Sequence, residues 1–219
     1  MPRNFAIKVS LFLNYFVFAI LLNSVGAVIL QVQRNFDISK ADASVLEGFK
    51  DIPIAIISFF IASFLPKIGI KRGMMVGLGI IAITCFLMPL VADEFWYFKL
   101  LFTLIGLTFA VIKIGVFAII GLVTNDTKEH SSLMSWVEGV FMLGVLLGNV
   151  FISMFIDDAN PKSTSWLNMF WYLGGLCIIA MALLKVSDLD ESQAINLENK
   201  ASEDFLDMIK LVIKPLILV

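Results

Sequence analysis

Residues 98–123 read FKLLFTLIGLTFAVIKIGVFAIIGLV, and Lys99 and Lys113 are the only charged side chains in this stretch. An α-helix needs about 20 mostly apolar residues to cross the hydrocarbon core of a bilayer, so the stretch is long enough to span one. It lacks the alternation of polar and apolar residues that is typical of a β-barrel strand. Because the backbone must satisfy its own hydrogen bonds in lipid, the stretch predicts a transmembrane α-helix.

Five further apolar blocks occur along the chain, and short polar segments separate them. The blocks cover residues 7–30, 45–65, 74–91, 133–156 and 166–184. Charged residues make up 16% of the chain, below the roughly 25% of a soluble domain. The sequence therefore predicts an all-α membrane protein whose residues 1–186 form a bundle of six transmembrane helices. The lipid bilayer is its first expected partner.

The distribution of Lys and Arg predicts the orientation of the bundle. The side that holds the N-terminus carries Arg3, Lys8, Lys67, Lys71, Arg72, Lys128, Lys185, Lys200, Lys210 and Lys214. The other side carries Arg34, Lys40, Lys99 and Lys162. Positive loops stay in the cytoplasm, so we expect a cytoplasmic N-terminus in a multi-pass protein of the plasma or inner membrane.

Residues 187–219 differ in composition from the six blocks. Acidic residues dominate as far as Asp207, which indicates a solvated cytoplasmic loop, and an apolar run begins at Pro215. We interpret that run as the start of a seventh span. On this interpretation the chain is a truncated first half, and its missing partner is a C-terminal half of six helices.

The first turns of the second block contain three charged residues, Glu47, Lys50 and Asp51. Their spacing places them near one another on a helix, close to the outer membrane surface. They form either a solvated helix start with a local ion pair or an outer gate or proton site.

Lys113 and Glu138 lie deep inside the fourth and fifth blocks. A charge in the membrane interior requires a partner or a water-filled cavity. The sequence permits two interpretations: a structural ion pair between the two residues, or a functional site in which Lys113 binds solute and Glu138 exchanges a proton.

Two spans also carry polar edges. Asn149 shares a helix face with Glu138, whereas Gly144 and Gly148 lie on another face and permit close helix packing. In the first span Tyr15 and Asn23 fall on one broad face, which would line either a transport cavity or a contact between helices.

Several other functional classes find no support in the sequence. His130 is the only histidine and has no metal-binding or nucleophile pattern around it, and Cys85 and Cys177 lie inside apolar blocks, as buried thiols do. The chain has no phosphate-binding glycine loop and no basic tract for nucleic acid. We expect no enzyme activity and no cofactor or metal, which leaves coupling to an ion gradient.

The loop LPKIGIKRGMMVGL at residues 65–78 resembles the loop between the second and third spans of the major facilitator superfamily. Gly69, Lys71, Arg72 and Gly73 carry the match, which is most similar to the fucose and glucose/galactose proton symporters. The resemblance implies a solute site near the membrane midplane, between two six-helix halves that rock to expose it alternately.

The sequence departs from the family pattern in three places. Pro66 stands where the loop usually has Asp, and Gly26 stands near the acidic residue of the sugar symporters. Gly148 and Asn149 replace a Gly-Pro pair of the antiporters, which disfavours a drug exporter. Any proton coupling must therefore use another carboxylate.

The predicted function is secondary active transport of a small organic solute, with proton-coupled sugar uptake as one form of it. An exporter or facilitator of a non-sugar, anionic solute is the alternative within transport. A non-transporting membrane scaffold or inactive fragment is the alternative from another class.

Overall fold

The computed structural model describes residues 5–191, apart from the side chain at position 63. The helices in this part are α1 (Phe5–Asn23), α2 (Val25–Phe36), α3 (Lys40–Ile68), α4 (Ile70–Val91), α5 (Phe95–Val123), α6 (Thr127–Ser153) and α7 (Met169–Val186), with a short 3-10 turn at Ser165–Asn168 before α7. The described residues contain no strand. The predicted all-α membrane bundle is confirmed.

Within residues 5–191, five helical segments are long and apolar enough to cross a membrane. They are Phe5–Phe36, Ile70–Val91, Phe95–Val123, Thr127–Ser153 and Ser165–Val186. The remaining long helix, α3, has 29 residues and is therefore about 43 Å long. Its first turns carry charged residues and extend the helix beyond the apolar block of residues 45–65.

Helices α1 and α2 form one continuous span, Phe5–Phe36. Ser24, which lies between them, has helical backbone angles (φ −65°, ψ −19°). Its amide donates to the Ile20 carbonyl at 2.9 Å, and its carbonyl accepts from the Val28 amide at 2.9 Å, so the helical hydrogen bonds continue through it. The Ser24 hydroxyl also donates a hydrogen bond to the Leu21 carbonyl at 2.7 Å, which satisfies this buried polar group within the helix.

Helix α1 is central to the bundle. It packs against α5, α6 and α7, while α4 joins α5 to α7 and closes a ring of four helices. Helix α3 packs on the outside of α5, and α6 packs on the outside of α1. The two outer helices are consequently the least covered, and only 22% of the apolar window of α6 is buried.

Glycines permit the close contact between α1 and α6. A Cβ at Gly144 would lie 2.6 Å from the Ala19 Cβ and 2.8 Å from the Phe16 carbonyl oxygen. A Cβ at Gly148 would lie 3.4 Å from the Ile20 Cα, so this glycine also permits close contact with α1. The predicted close-packing edge of the fifth span is therefore confirmed, and its neighbour is α1.

We expect Gly144→Ala to destabilise the bundle by about 1–3 kcal/mol, because the added methyl group would overlap backbone atoms of α1. Thermal unfolding of the purified protein measures the effect. Gly139→Ala is the matched control on the same helix, since a Cβ at Gly139 meets nothing within 4 Å. Equal melting temperatures for the two variants would contradict the close contact.

Candidate functional site

An aromatic cluster joins α1, α5 and α6 in the interior of the bundle. The ring centroid of Tyr15 lies 6.4 Å from that of Phe109, 6.2 Å from Phe117 and 5.6 Å from Phe141. We call these four residues the Tyr15 cluster. Tyr15 is 1% exposed, and its hydroxyl has no hydrogen-bond partner among the described residues. Buried hydroxyls normally have a partner, so this one is unusual.

Lys113 lies beside the Tyr15 cluster on α5. It is four residues from Phe109 and four from Phe117, and that spacing places all three on one helix face. Its side chain is half-buried and forms no ion pair or hydrogen bond within residues 5–191. Ten residues separate it from the end of α5 at Val123, a rise of about 15 Å.

Glu138 lies beside the same cluster on α6. It precedes Phe141 by three residues, and its carboxylate is near enough to Tyr15 for its charge to act on the hydroxyl. It too is half-buried and, in the part of the chain described, has no ion-pair partner. Eleven residues separate it from the start of α6 at Thr127, a rise of about 16 Å.

The structure thus brings Lys113 and Glu138 to one depth but does not pair them. α5 ends and α6 begins at the same end of the bundle, because only residues 124–126 connect the two helices. No ion pair within 4.0 Å joins the two side chains. The interpretation of these residues as a structural ion pair is therefore not what the structure shows.

Asn149 and Asn23, the other predicted polar residues, lie away from the cluster. Asn149 is exposed and lies eleven residues beyond Glu138 along α6. Asn23 is exposed at the end of α1, where its amide donates to the Ala19 carbonyl at 2.8 Å. Tyr15 and Asn23 do not form one continuous edge, because Tyr15 is buried against rings of α5 and α6 whereas Asn23 is exposed.

The predicted charge cluster at the start of the second span divides into two parts. Lys50 is only 14% exposed in its side chain, and its ammonium lies 3.4 Å from Asp51 Oδ1 and 3.5 Å from the Leu22 carbonyl oxygen. Glu47 is exposed and does not join this ion pair. Lys50 thus links α3 to α1 through its contact with the Leu22 carbonyl.

The loop motif at residues 69–73 forms a tight turn between α3 and α4. Gly69 has a φ of 92°, a conformation that L side chains rarely adopt. Gly73 packs directly against the Leu65 side chain, so a larger residue would displace it. Arg72 is exposed. The two glycines of the motif are thus explained by backbone conformation and by close packing.

Lys71 and Glu191 connect this turn to the end of α7. The Lys71 ammonium donates to the carbonyl oxygens of Lys185 at 2.9 Å and Ser187 at 2.6 Å. The Glu191 carboxylate accepts from the backbone amides of Ile70 at 2.8 Å and Lys71 at 3.0 Å. Glu191 therefore caps the start of α4, a role that the sequence analysis did not assign.

Sequence reasoning also missed the aromatic residues that share a helix face with Lys113. The residues four positions before and after it are both phenylalanine, and this spacing on one helix face was the available signal. Phe141 had no comparable signal, since its contact with Tyr15 depends on how α6 packs on α1.

Comparison with known proteins bears on the whole chain. A family model described as the Major Facilitator Superfamily matches residues 11–219. A search of curated proteins finds no significant match.

We expect Lys113→Met to leave the free energy of unfolding unchanged or to raise it by up to about 2 kcal/mol, because the substitution removes an unpaired charge from the membrane interior. The melting temperature should accordingly stay the same or rise. Lys8→Met is the matched control. It breaks an ion pair with Glu129 at 3.1 Å and should lower stability by up to about 1 kcal/mol. A clear loss of stability in Lys113→Met would instead support the interpretation of Lys113 and Glu138 as a structural ion pair.

Proposed function

The chain belongs to the major facilitator superfamily, a family of membrane transporters, and from that premise we propose that it is the first half of a secondary transporter for a small organic solute. In this proposal a second half of six helices completes the transporter, and the two halves expose a central site alternately to each side of the membrane. Solute binds at the Tyr15 cluster, beside Lys113 and Glu138.

Lys113 has no ion-pair partner within residues 5–191, and this supports a solute site beside it. It lies about 27 Å from the start of α5 and about 15 Å from its end, well inside the span. Charged groups at such depth occur where they line a solute or ion pathway. A static scaffold would gain nothing from leaving two opposite charges apart on neighbouring helices, so this observation favours transport over the scaffold hypothesis.

The chemical class of the solute is the most specific part of the proposal. Proton-coupled sugar uptake rests on the likeness of residues 65–78 to the sugar symporters. The half-buried, unpaired ammonium of Lys113 favours a solute with an anionic group instead. We therefore place a charged organic solute first and a neutral sugar second.

Proton coupling, where it operates, would use Glu138. It is half-buried, its charge acts on Tyr15 of α1, and no ion pair joins it to Lys113 of α5 within the described residues. Glu47 and Asp51 are the remaining candidates, but both are exposed at the opposite end of the bundle. Exposure leaves their carboxylates in contact with solvent, which suits a coupling site less well.

We expect Lys113→Met to reduce uptake of the transported solute at least about tenfold, since a charge-assisted hydrogen bond contributes roughly 1.5–3 kcal/mol. Cells that produce the complete protein are assayed with radiolabelled lactate, leucine and L-fucose. Lys99→Met is the matched control, because Lys99 lies on the same helix but over the Phe95 ring, 4.7 Å from its centroid. Normal uptake in Lys113→Met would refute the solute-binding role.

We expect Glu138→Gln to abolish the dependence of uptake on external pH, because the amide cannot exchange a proton. Uptake is measured across a pH series in proteoliposomes with an imposed proton gradient. Asp51→Asn, at the exposed outer position, should keep the pH dependence of the unmodified protein. A pH profile unchanged by Glu138→Gln would exclude this carboxylate as the coupling group.

A further inference from the structure

Lys113 and Glu138 carry opposite charges at matching depth, about 15 Å and 16 Å from one end of the bundle. Both flank the Tyr15 cluster, and both are half-buried. Neither has an ion-pair partner in the described part of the chain. Two separated charges of opposite sign thus border one patch of aromatic rings.

We propose, building on the transport function above, that this face binds a zwitterionic solute of the amino acid class. The solute carboxylate accepts hydrogen bonds from Lys113 Nζ, and the solute ammonium donates to the Glu138 carboxylate. The apolar part of the solute packs against the Tyr15 cluster.

Charge balance favours a zwitterionic solute over an anionic, a cationic or a neutral one. A solute with a single negative group would satisfy Lys113 and leave Glu138 unpaired, whereas a solute with a single positive group would do the reverse. An unpaired charge carries a large penalty in a site that closes away from water. A neutral sugar would satisfy neither charge by an ion pair, but a zwitterion satisfies both and adds no net charge.

The aromatic rings strengthen the argument for the positive group. Phe141 follows Glu138 by three residues on α6, and its ring centroid is 6.1 Å from that of Phe109 on α5. A cation held by Glu138 would therefore lie near the Phe141 ring, and aromatic rings attract ammonium groups. Lys113 lies between Phe109 and Phe117, so the same rings are within reach of the solute side chain.

The first test is a ligand screen with the complete purified protein. Thermal shift is measured with the individual proteinogenic amino acids and with L-fucose. The amino acid with the largest shift is then compared with its decarboxylated amine and with its deaminated acid. We expect each single-charge analogue to bind at least about tenfold more weakly than the amino acid, as loss of one charge-assisted hydrogen bond implies.

Two substitutions should then each remove the preference for the amino acid over one of its single-charge analogues. In Lys113→Met the amino acid and its amine should bind equally well, because the carboxylate has lost its partner. In Glu138→Gln the amino acid and its deaminated acid should bind equally well. Lys99→Met and Glu94→Gln, both near the start of α5, are the matched controls and should keep the full preference.

Three results would overturn the inference: tighter binding of L-fucose or of a single-charge analogue, no shift with any amino acid, or equal weakening of all ligands by both substitutions. Uptake assays separate this failure from failure of the proposed function. Transport of a sugar or a simple acid would leave the transporter proposal intact and refute only the zwitterion. No uptake of any of these probes would refute both.

Discussion

A polar group inside the hydrocarbon layer must find its partner within the protein, and this constraint explains most of the polar residues in the bundle. Many of them donate a side-chain hydrogen bond to a carbonyl of their own helix, one turn earlier. These residues are Asn14, Asn23, Gln33, Thr84, Thr103 and Thr108. Lys113 and Glu138 do not follow this pattern, and for that reason they mark the candidate site.

The central position of α1 determines where that site lies. Close packing through Gly144 and Gly148 holds α6 against one side of α1, and α5 meets a neighbouring side through Tyr15. The Tyr15 cluster fills the junction of the three helices. Lys113 and Glu138 reach the edge of that junction because each occupies the same helix face as a cluster ring.

At the α3–α4 turn, charged side chains bond backbone groups of neighbouring helix ends. Lys71 bonds two carbonyls at the end of α7, and Glu191 bonds two amides at the start of α4. These contacts match each charge to the helix end whose dipole favours it. They tie the loop motif to the segment after α7, so the starts and ends of separate helices are held together.

The sequence by itself determined the fold class and the residues that needed explanation, because hydrocarbon thickness and the cost of buried charge act on local composition. It also identified the two glycines of α6 as a close-packing edge. Only the tertiary structure decided that this edge packs against α1 and that Glu191 caps α4. It also decided that Lys113 and Glu138 border one aromatic cluster without pairing. These outcomes depend on helix rotation and on which helices are neighbours, and neither is encoded in the hydropathy of a single segment.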